Sequence, residues 1–383
     1  MKLEKIEVKN SKLSAAILLV IMAAICVYIS TVFLSQRKEE PLYPSGALTE
    51  KKMLSDYYDG LKGKAVDTEV YIFRGKKPGA TMLLLGGTHP TETSGYVASV
   101  LVMENAVPEE GTLIVIPRTN RSGFTCTEPQ DATPLGVHIE TDNGTRYFRI
   151  GCRLTNPVHQ WPDPDIYYHN AGQLLTGKET RNVDRTYPGR TDGNLTEKVN
   201  YGLVQLINAE NVDVTIDLHE GPPEYPTIDV MIAHQRAMDL AGMTVLNMAF
   251  EGLNIRVDAS PLNYHGFSHR ELGDHTGTLA MLAETANPVQ GRLVGHKSEE
   301  LMLLGKDKFY HYASENSHRL YTDYPEEGKP LNMRVARHVE MVRQIAEAYN
   351  MLGTGKSFEI TEIPGYAEIM ENGMGKYLAP KTQ

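Results

Sequence analysis

The chain has 383 residues, of which 41% are hydrophobic and 22% charged. That composition excludes collagen-like, disordered and multi-span membrane classes and leaves one large or two ordinary domains folding mostly in water. A formal net charge of −10 opposes a phosphate backbone as partner, so nucleic acid drops out. Three cysteines with no CxxC pair make neither a disulfide framework nor a thiolate site, so any metal must use nitrogen and oxygen ligands.

From Leu13 to Leu34 no side chain is charged or strongly polar over 22 residues. As a helix at ~1.5 Å per residue the run covers ~33 Å, enough to cross a bilayer core. Lys2, Lys5, Lys9 and Lys12 precede it, while Arg37 and Lys38 are diluted by Glu39 and Glu40, which predicts a cytoplasmic N-terminus. A cleaved signal peptide is the competing reading, but its apolar core is normally ~7 to 15 residues. Cys26 follows Ile25, a poor match to a lipoprotein processing site, and reads as lipid-facing. The expected organisation is a basic cytoplasmic tail (1–12), a transmembrane signal-anchor helix (13–34), a linker (35–65) and an acidic extracytoplasmic catalytic domain (66–383).

The linker is punctuated by Pro41, Pro44, Gly46, Gly60 and Gly63 and predicts at most one short helix, about Thr49 to Leu61. Beyond it, short apolar runs alternate with helical stretches, the pattern of an α/β domain with a mixed, largely parallel sheet flanked by helices. Strands are predicted near Glu69–Phe73, Met82–Leu85, Leu113–Ile116, Val212–Leu218, Thr227–Ile232 and Thr278–Leu282. Helices are predicted at about Ser94–Glu104, Glu197–Ala209, His234–Glu251 and Met333–Leu352. Between Pro117 and Thr196 no persuasive periodicity is visible, and loops that long are usually functional. Cys126 and Cys152 fall there, and residues alone do not say whether they pair. In the last helix Val335, Val339, Val342, Ile345 and Ala346 share a packing stripe, which puts Arg334 and His338 on the wet side.

Three apolar strands end in groups that carry chemistry. The first runs into Gly86, Gly87, Thr88, His89, Pro90, Thr91, Glu92. Imidazole and carboxylate are ordinary zinc donors, and a turn opening into a helix directs both to the carboxyl end of the strand, where open sheets bind ligands. A surface His–Glu pair has the same spacing. The second ends in Asp217, Leu218, His219, where alternation puts Asp217 beside His219 as a supporting carboxylate; a lone strand-end histidine reads equally as solubilising. The third ends in Glu284, a natural general base or a rim salt bridge. In the long loop Arg181, Asp184 and Arg185 precede Tyr187, Pro188 and Gly189, and a guanidinium there clamps a carboxylate or an oxyanion unless it is merely solvated. A rival cluster of His265, His269, Asp274 and His275 reads as a polar loop at the pocket rim rather than a second metal site, because Gly266 and Gly273 oppose a continuous helix.

Taken in order, the glycine turn with His89 and Glu92, the Arg185–Gly189 stretch, the Asp217–His219 strand end and Glu284 resemble the zinc carboxypeptidase-like superfamily. The chain is most similar to its succinylglutamate desuccinylase and aspartoacylase branch, over roughly residues 80 to 290. The resemblance implies one Zn2+ on His89, Glu92 and His219, and Glu284 as the catalytic base. It also implies substrate binding by Arg185 with its neighbour Asp184, and an upstream arginine polarising the carbonyl, for which Arg181 is chosen over Arg118 and Arg121. The chain departs from the family pattern at Asp184, which stands where the motif has Asn. The expected function is a membrane-anchored, zinc-dependent amide hydrolase, a deacylase of N-acyl amino acids. The alternatives are an extracytoplasmic metallocarboxypeptidase acting on peptides and a non-catalytic tethered binding protein.

Overall fold

The computed structural model describes residues 11–128, 132–317 and 320–379. Residues 1–10, which hold most of the expected basic tail, lie outside that range. The chain divides into two compact units, Met1–Glu39 and Glu40–Gln383. The first contains helix α1 (Ser11–Ser35), in which Lys12–Ser35 is long and apolar enough to cross a membrane. Its apolar side chains are exposed, Leu19 at 68% and Val20 at 69%, as expected of a helix that is hydrophobic all round.

The second unit is built on a mixed sheet. In chain order its elements are β1 (Glu50–Met53), β2 (Glu69–Arg74), β3 (Lys77–Leu85), α2 (Thr93–Asn105), β4 (Val107–Ile116), β5 (Gly136–Thr141), β6 (Gly144–Arg149), β7 (Ile166–Tyr168), β8 (Leu174–Thr176), α3 (Leu195–Ala209) and β9 (Val214–Gly221). There follow β10 (Val230–Ala233), α4 (Met238–Phe250), β11 (Arg256–Ala259), α5 (Ser268–His275), β12 (Leu279–Ala286), α6 (Glu299–Leu304), α7 (Lys308–Tyr312), α8 (Leu331–Met351), β13 (Glu359–Thr361) and α9 (Tyr366–Asn372). The main sheet runs β1-β2-β4-β3-β9-β12-β10-β11, with β13 beside β4. Its four central strands, β4, β3, β9 and β12, are parallel, and antiparallel neighbours extend it on both sides.

Alternation along the strands divides the core into two layers. Met82 and Leu84, with Val214, Ile216 and Leu218, pack on the side of α2, α4 and α8. Leu83 and Leu85 pack on the other side with Leu203 and Leu206 of α3 and Leu272 of α5. Asp217 and His219 alternate with Ile216 and Leu218 and therefore face the α3 and α5 layer. β4 and β9 lie on opposite sides of β3, so the connections leave it in opposite directions and open a crevice at the carboxyl end.

Several local expectations are corrected. The segment Thr49–Leu61 is not a helix: Glu50–Met53 pairs antiparallel with β2, and Leu54 and Leu61 are fully buried. The expected linker therefore belongs to the compact unit from Glu40 onward, because these two leucines gain more from the core than a short isolated helix would hold. The aperiodic stretch from 117 to 196 forms two small hairpins, β5–β6 and β7–β8, joined by tight turns. The region of His269, Asp274 and His275 is helical (α5), since Gly266 lies before its start and Gly273 is tolerated near its end. Arg334 and His338 are both 0% exposed rather than wet, because α8 is covered on more than its apolar stripe and carries them against polar partners of the sheet.

Candidate metal centre and cleft

The strand ends meet as their register dictates. Leu85 of β3 pairs with Asp217 of β9, and His219 pairs with Glu284 of β12. Past Leu85 the chain turns through Gly87 at φ +60°, where an added Cβ would stand 2.7 Å from the Pro117 carbonyl, so only glycine fits. Thr88 then donates to Asp217 Oδ1 at 2.7 Å, tying the turn to the neighbouring strand. His89 and Glu92 follow, Glu92 at the threshold of α2.

Both histidines turn Nδ1 toward one carboxylate. His89 Nδ1 lies 2.8 Å from Glu92 Oε1, and His219 Nδ1 lies 2.9 Å from Glu92 Oε2, with the ring centroids 4.7 Å apart. Each outer nitrogen has its own support. His89 Nε2 donates to Asn182 Oδ1 at 2.9 Å. Asp217 Oδ2 stands 2.9 Å from His219 Nε2, but the pair is not aligned as a hydrogen bond. Asp184 adds a fourth donor, since one ligand atom each from His89, Asp184 and His219 lie within 4.8 Å of one another. Asp184 Oδ1 accepts from Ser268 N at 2.9 Å and Oδ2 from Arg185 Nη1 at 2.7 Å.

These contacts set the charges. Burial raises the Glu92 carboxyl, but His89 and His219 outweigh it and hold it well below the usual range. Burial opposes charge on His219, yet Asp217 and Glu92 overcome it and raise that imidazole well above its ordinary value. His89 is lowered, by burial first and then by Arg153. Glu284 goes the other way: enclosure by protein atoms and the adjacent Glu92 push its carboxyl well above the usual range. Among the described residues its Oε2 has no hydrogen-bond partner, although the residue is only half-buried. Two imidazoles, one or two carboxylates and an unpartnered acid make a donor set suited to a divalent cation such as zinc.

Arg181 is not drawn into this constellation. Its guanidinium is clamped by Asp163 at 2.7 and 2.9 Å and by the Thr155 carbonyl at 2.7 Å. Besides Arg185 on Asp184, Arg153 reaches the cluster, which the sequence did not suggest: its Nη1 is 2.9 Å from Glu92 Oε1, and 35% of its side chain is exposed. Arg185 stacks on Phe267, its guanidinium carbon 3.8 Å from the ring centroid. Both arginines line a cleft of about 720 Å³ with Lys178, Glu179, Tyr225 and Lys297. In a smaller pocket of about 330 Å³, His296, Glu300 and Asp307 form no metal-ligand cluster among the described residues. In the rival cluster His269 turns to Ser260 and Asp274 to Arg270 and His234, so these side chains do not share a centre.

A buried pair supports the floor. Glu220 N donates to Glu92 Oε2 at 3.0 Å, and Glu220 Oε2 accepts from Ser94 N at 2.9 Å. Arg334 of α8 reaches down to pair with Glu220 Oε1, both side chains fully buried. Glu220 thus ties the end of β9 to the first turn of α2, on either side of Glu92.

No protein-family model matches the chain, and no curated protein matches its sequence. Among solved structures it is similar to a succinylglutamate desuccinylase from Silicibacter sp. TM1040 at 17% identity, over 65% of this chain and 64% of that one, with a TM-score of 0.37. It is similar to a metallo-carboxypeptidase from Burkholderia cenocepacia at 10% identity, over 85% and 69%, with a TM-score of 0.45. It is also similar to the tripeptide-bound cell shape determinant Csd4 of Helicobacter pylori at 12%, over 80% and 60%, with a TM-score of 0.44. The chain spans less than two thirds of the desuccinylase, at 64%, and of the Csd4 protein, at 60%. Identities and scores this low assign it neither reaction nor substrate.

Proposed function

We propose that this chain is a zinc-dependent amide hydrolase, held at a membrane by α1 with its catalytic unit on the extracytoplasmic side. The observation that carries the reading is the convergence of His89 Nδ1 and His219 Nδ1 on the two oxygens of Glu92, with Glu284 in register beside His219. His89, Glu92 and His219 would hold the ion, and Asp184 is near enough to join or adjust the set. When bound, zinc supplies a Lewis acid that polarises a carbonyl and acidifies water.

The chain's own residues do the rest. Glu284, whose Oε2 is unpartnered, takes a proton from the attacking water and returns it to the leaving amine. Arg153, on the cleft wall beside Glu92, offers positive charge to the developing oxyanion, the role sequence reasoning gave to Arg181. Arg185, held flat on Phe267 and bound by Asp184, binds the carboxylate end of the substrate. Asn182 and Asp217 orient the two imidazoles.

The substrate class is an N-acyl amino acid or a short peptide with a free carboxylate. A cleft of about 720 Å³ lined by Arg153, Arg185, Lys178 and Lys297 has room for more than one residue and favours the peptide reading. Metal analysis of the purified full chain, with hydrolysis of a panel of N-acyl amino acids and short peptides, tests the assignment. One zinc per chain with turnover is expected. One zinc with no turnover anywhere in the panel would leave a tethered binding protein, and equal activity of wild type and Glu284→Gln would remove the base.

A further inference from the structure

Cys126 and Cys152 lie far apart in sequence, yet their backbones meet at one carbonyl. Gly123 O accepts from Cys152 N at 2.9 Å and from Cys126 N at 3.5 Å, and the Cys126 thiol stands 3.8 Å from the same oxygen. The approach is built into the chain: a Cβ on Gly151 would fall 2.3 Å from Gly123 O, and one on Gly123 would fall 2.8 Å from Cys152 O. Two glycines thus allow the two segments to run in backbone contact. A shared backbone acceptor is compatible with the Cα separation of about 4.4 to 6.8 Å that a disulfide spans.

We infer that Cys126 and Cys152 form a reversible disulfide that clips the segment carrying Arg153 against the turn after β4. Cys152 immediately precedes Arg153, and Gly151 N donates to the Pro90 carbonyl at 3.2 Å, inside the His89–Glu92 turn. Closing the clip therefore restrains the cation beside Glu92, while opening it leaves that segment tethered by hydrogen bonds alone. The oxidant is a low-molecular-weight disulfide. The Cys126 thiolate attacks one of its sulfurs and releases one small thiol. The Cys152 thiolate then displaces the second, so two protein thiols lose two electrons and two protons while one small disulfide becomes two thiols. The order follows from the surroundings. Cys152 lowers the Cys126 thiol, while Cys126 and burial raise that of Cys152, whose proton is directed at Glu128 Oε1, 3.0 Å away. An extracytoplasmic compartment is where such a bond persists.

The test uses the full chain in detergent with Cys26→Ser, so that only this pair responds. After incubation with glutathione disulfide, the protein is unfolded, alkylated and mapped by mass spectrometry. The expected result is no alkylated cysteine and one cross-linked pair of peptides carrying Cys126 and Cys152. Two alkylated thiols, or a separate glutathione adduct on each cysteine, would overturn the clip. Tryptic cleavage after Arg153 reads the second part. It should slow several-fold on oxidation and recover with reductant, and Cys126→Ser should show no redox dependence. An equal rate in oxidised and reduced protein would show that the bond does not restrain Arg153.

Discussion

Glu284 and His219 are register partners on adjacent strands, and Glu92 acts on both: it adds to burial in raising the Glu284 carboxyl, and it adds to Asp217 in raising the His219 imidazole. Proton transfer is then assigned to Glu284, and Glu284→Gln should lower kcat by roughly 10²- to 10⁴-fold with zinc stoichiometry unchanged. Asn182 works through His89 rather than on substrate, so Asn182→Ala should weaken zinc binding by roughly 10- to 100-fold in a chelator competition. An unchanged affinity would show that another group fixes that ring. His89, Glu92, His219 and Glu284 were legible because each ends a strand or its turn, where periodicity locates the side chain. Arg153 was not, because it lies in an irregular segment after a small hairpin and meets Glu92 from 61 residues away in sequence. Arg181, chosen for its nearness to Arg185 in sequence, is taken by Asp163, a partner with no periodic signature.

At the level of elements, α8 does more than pack. Its Val335, Val339 and Val342 were readable as a stripe, but a stripe does not reveal that Arg334 and His338 point into protein as well. Breaking the buried Glu220–Arg334 pair by Arg334→Met leaves an uncompensated carboxylate and should cost about 3–5 kcal/mol in urea unfolding of the metal-free protein. His338 and His269, buried in α8 and α5, are pushed down to about 3 and about 4, by burial first. Unfolded, each takes up its proton near pH ~6.5. Between that pH and the folded values the unfolded chain holds more protons, so stability falls as the solution is acidified. His338→Leu removes one of these groups, and the slope of unfolding free energy against pH between about 6.5 and 4 should become shallower than in wild type. His219 has the opposite sign in the metal-free protein, because its folded value is raised; its contribution is present below the ordinary histidine range and fades at higher pH.

The molecule as a whole joins an all-apolar helix to an acidic α/β unit. Deleting residues 1–39 removes α1 and leaves the second compact unit intact. The truncated chain should stay in the aqueous phase with unchanged catalytic constants, whereas the full chain should need detergent for extraction and resist carbonate washing. Extraction of the full chain by carbonate alone would refute the anchor. Local patterns announced the apolar helix, the central strands and their chemical termini, since burial on a sheet or in lipid imposes a period or a run length on the residues themselves. Strand order, the burial of Leu54 and Leu61, the contact of Arg153 with Glu92 and the Glu220–Arg334 floor came from the assembled fold. Each depends on which distant segments share a surface, and that is settled by the summed packing of the chain, for which no short stretch of residues carries a code.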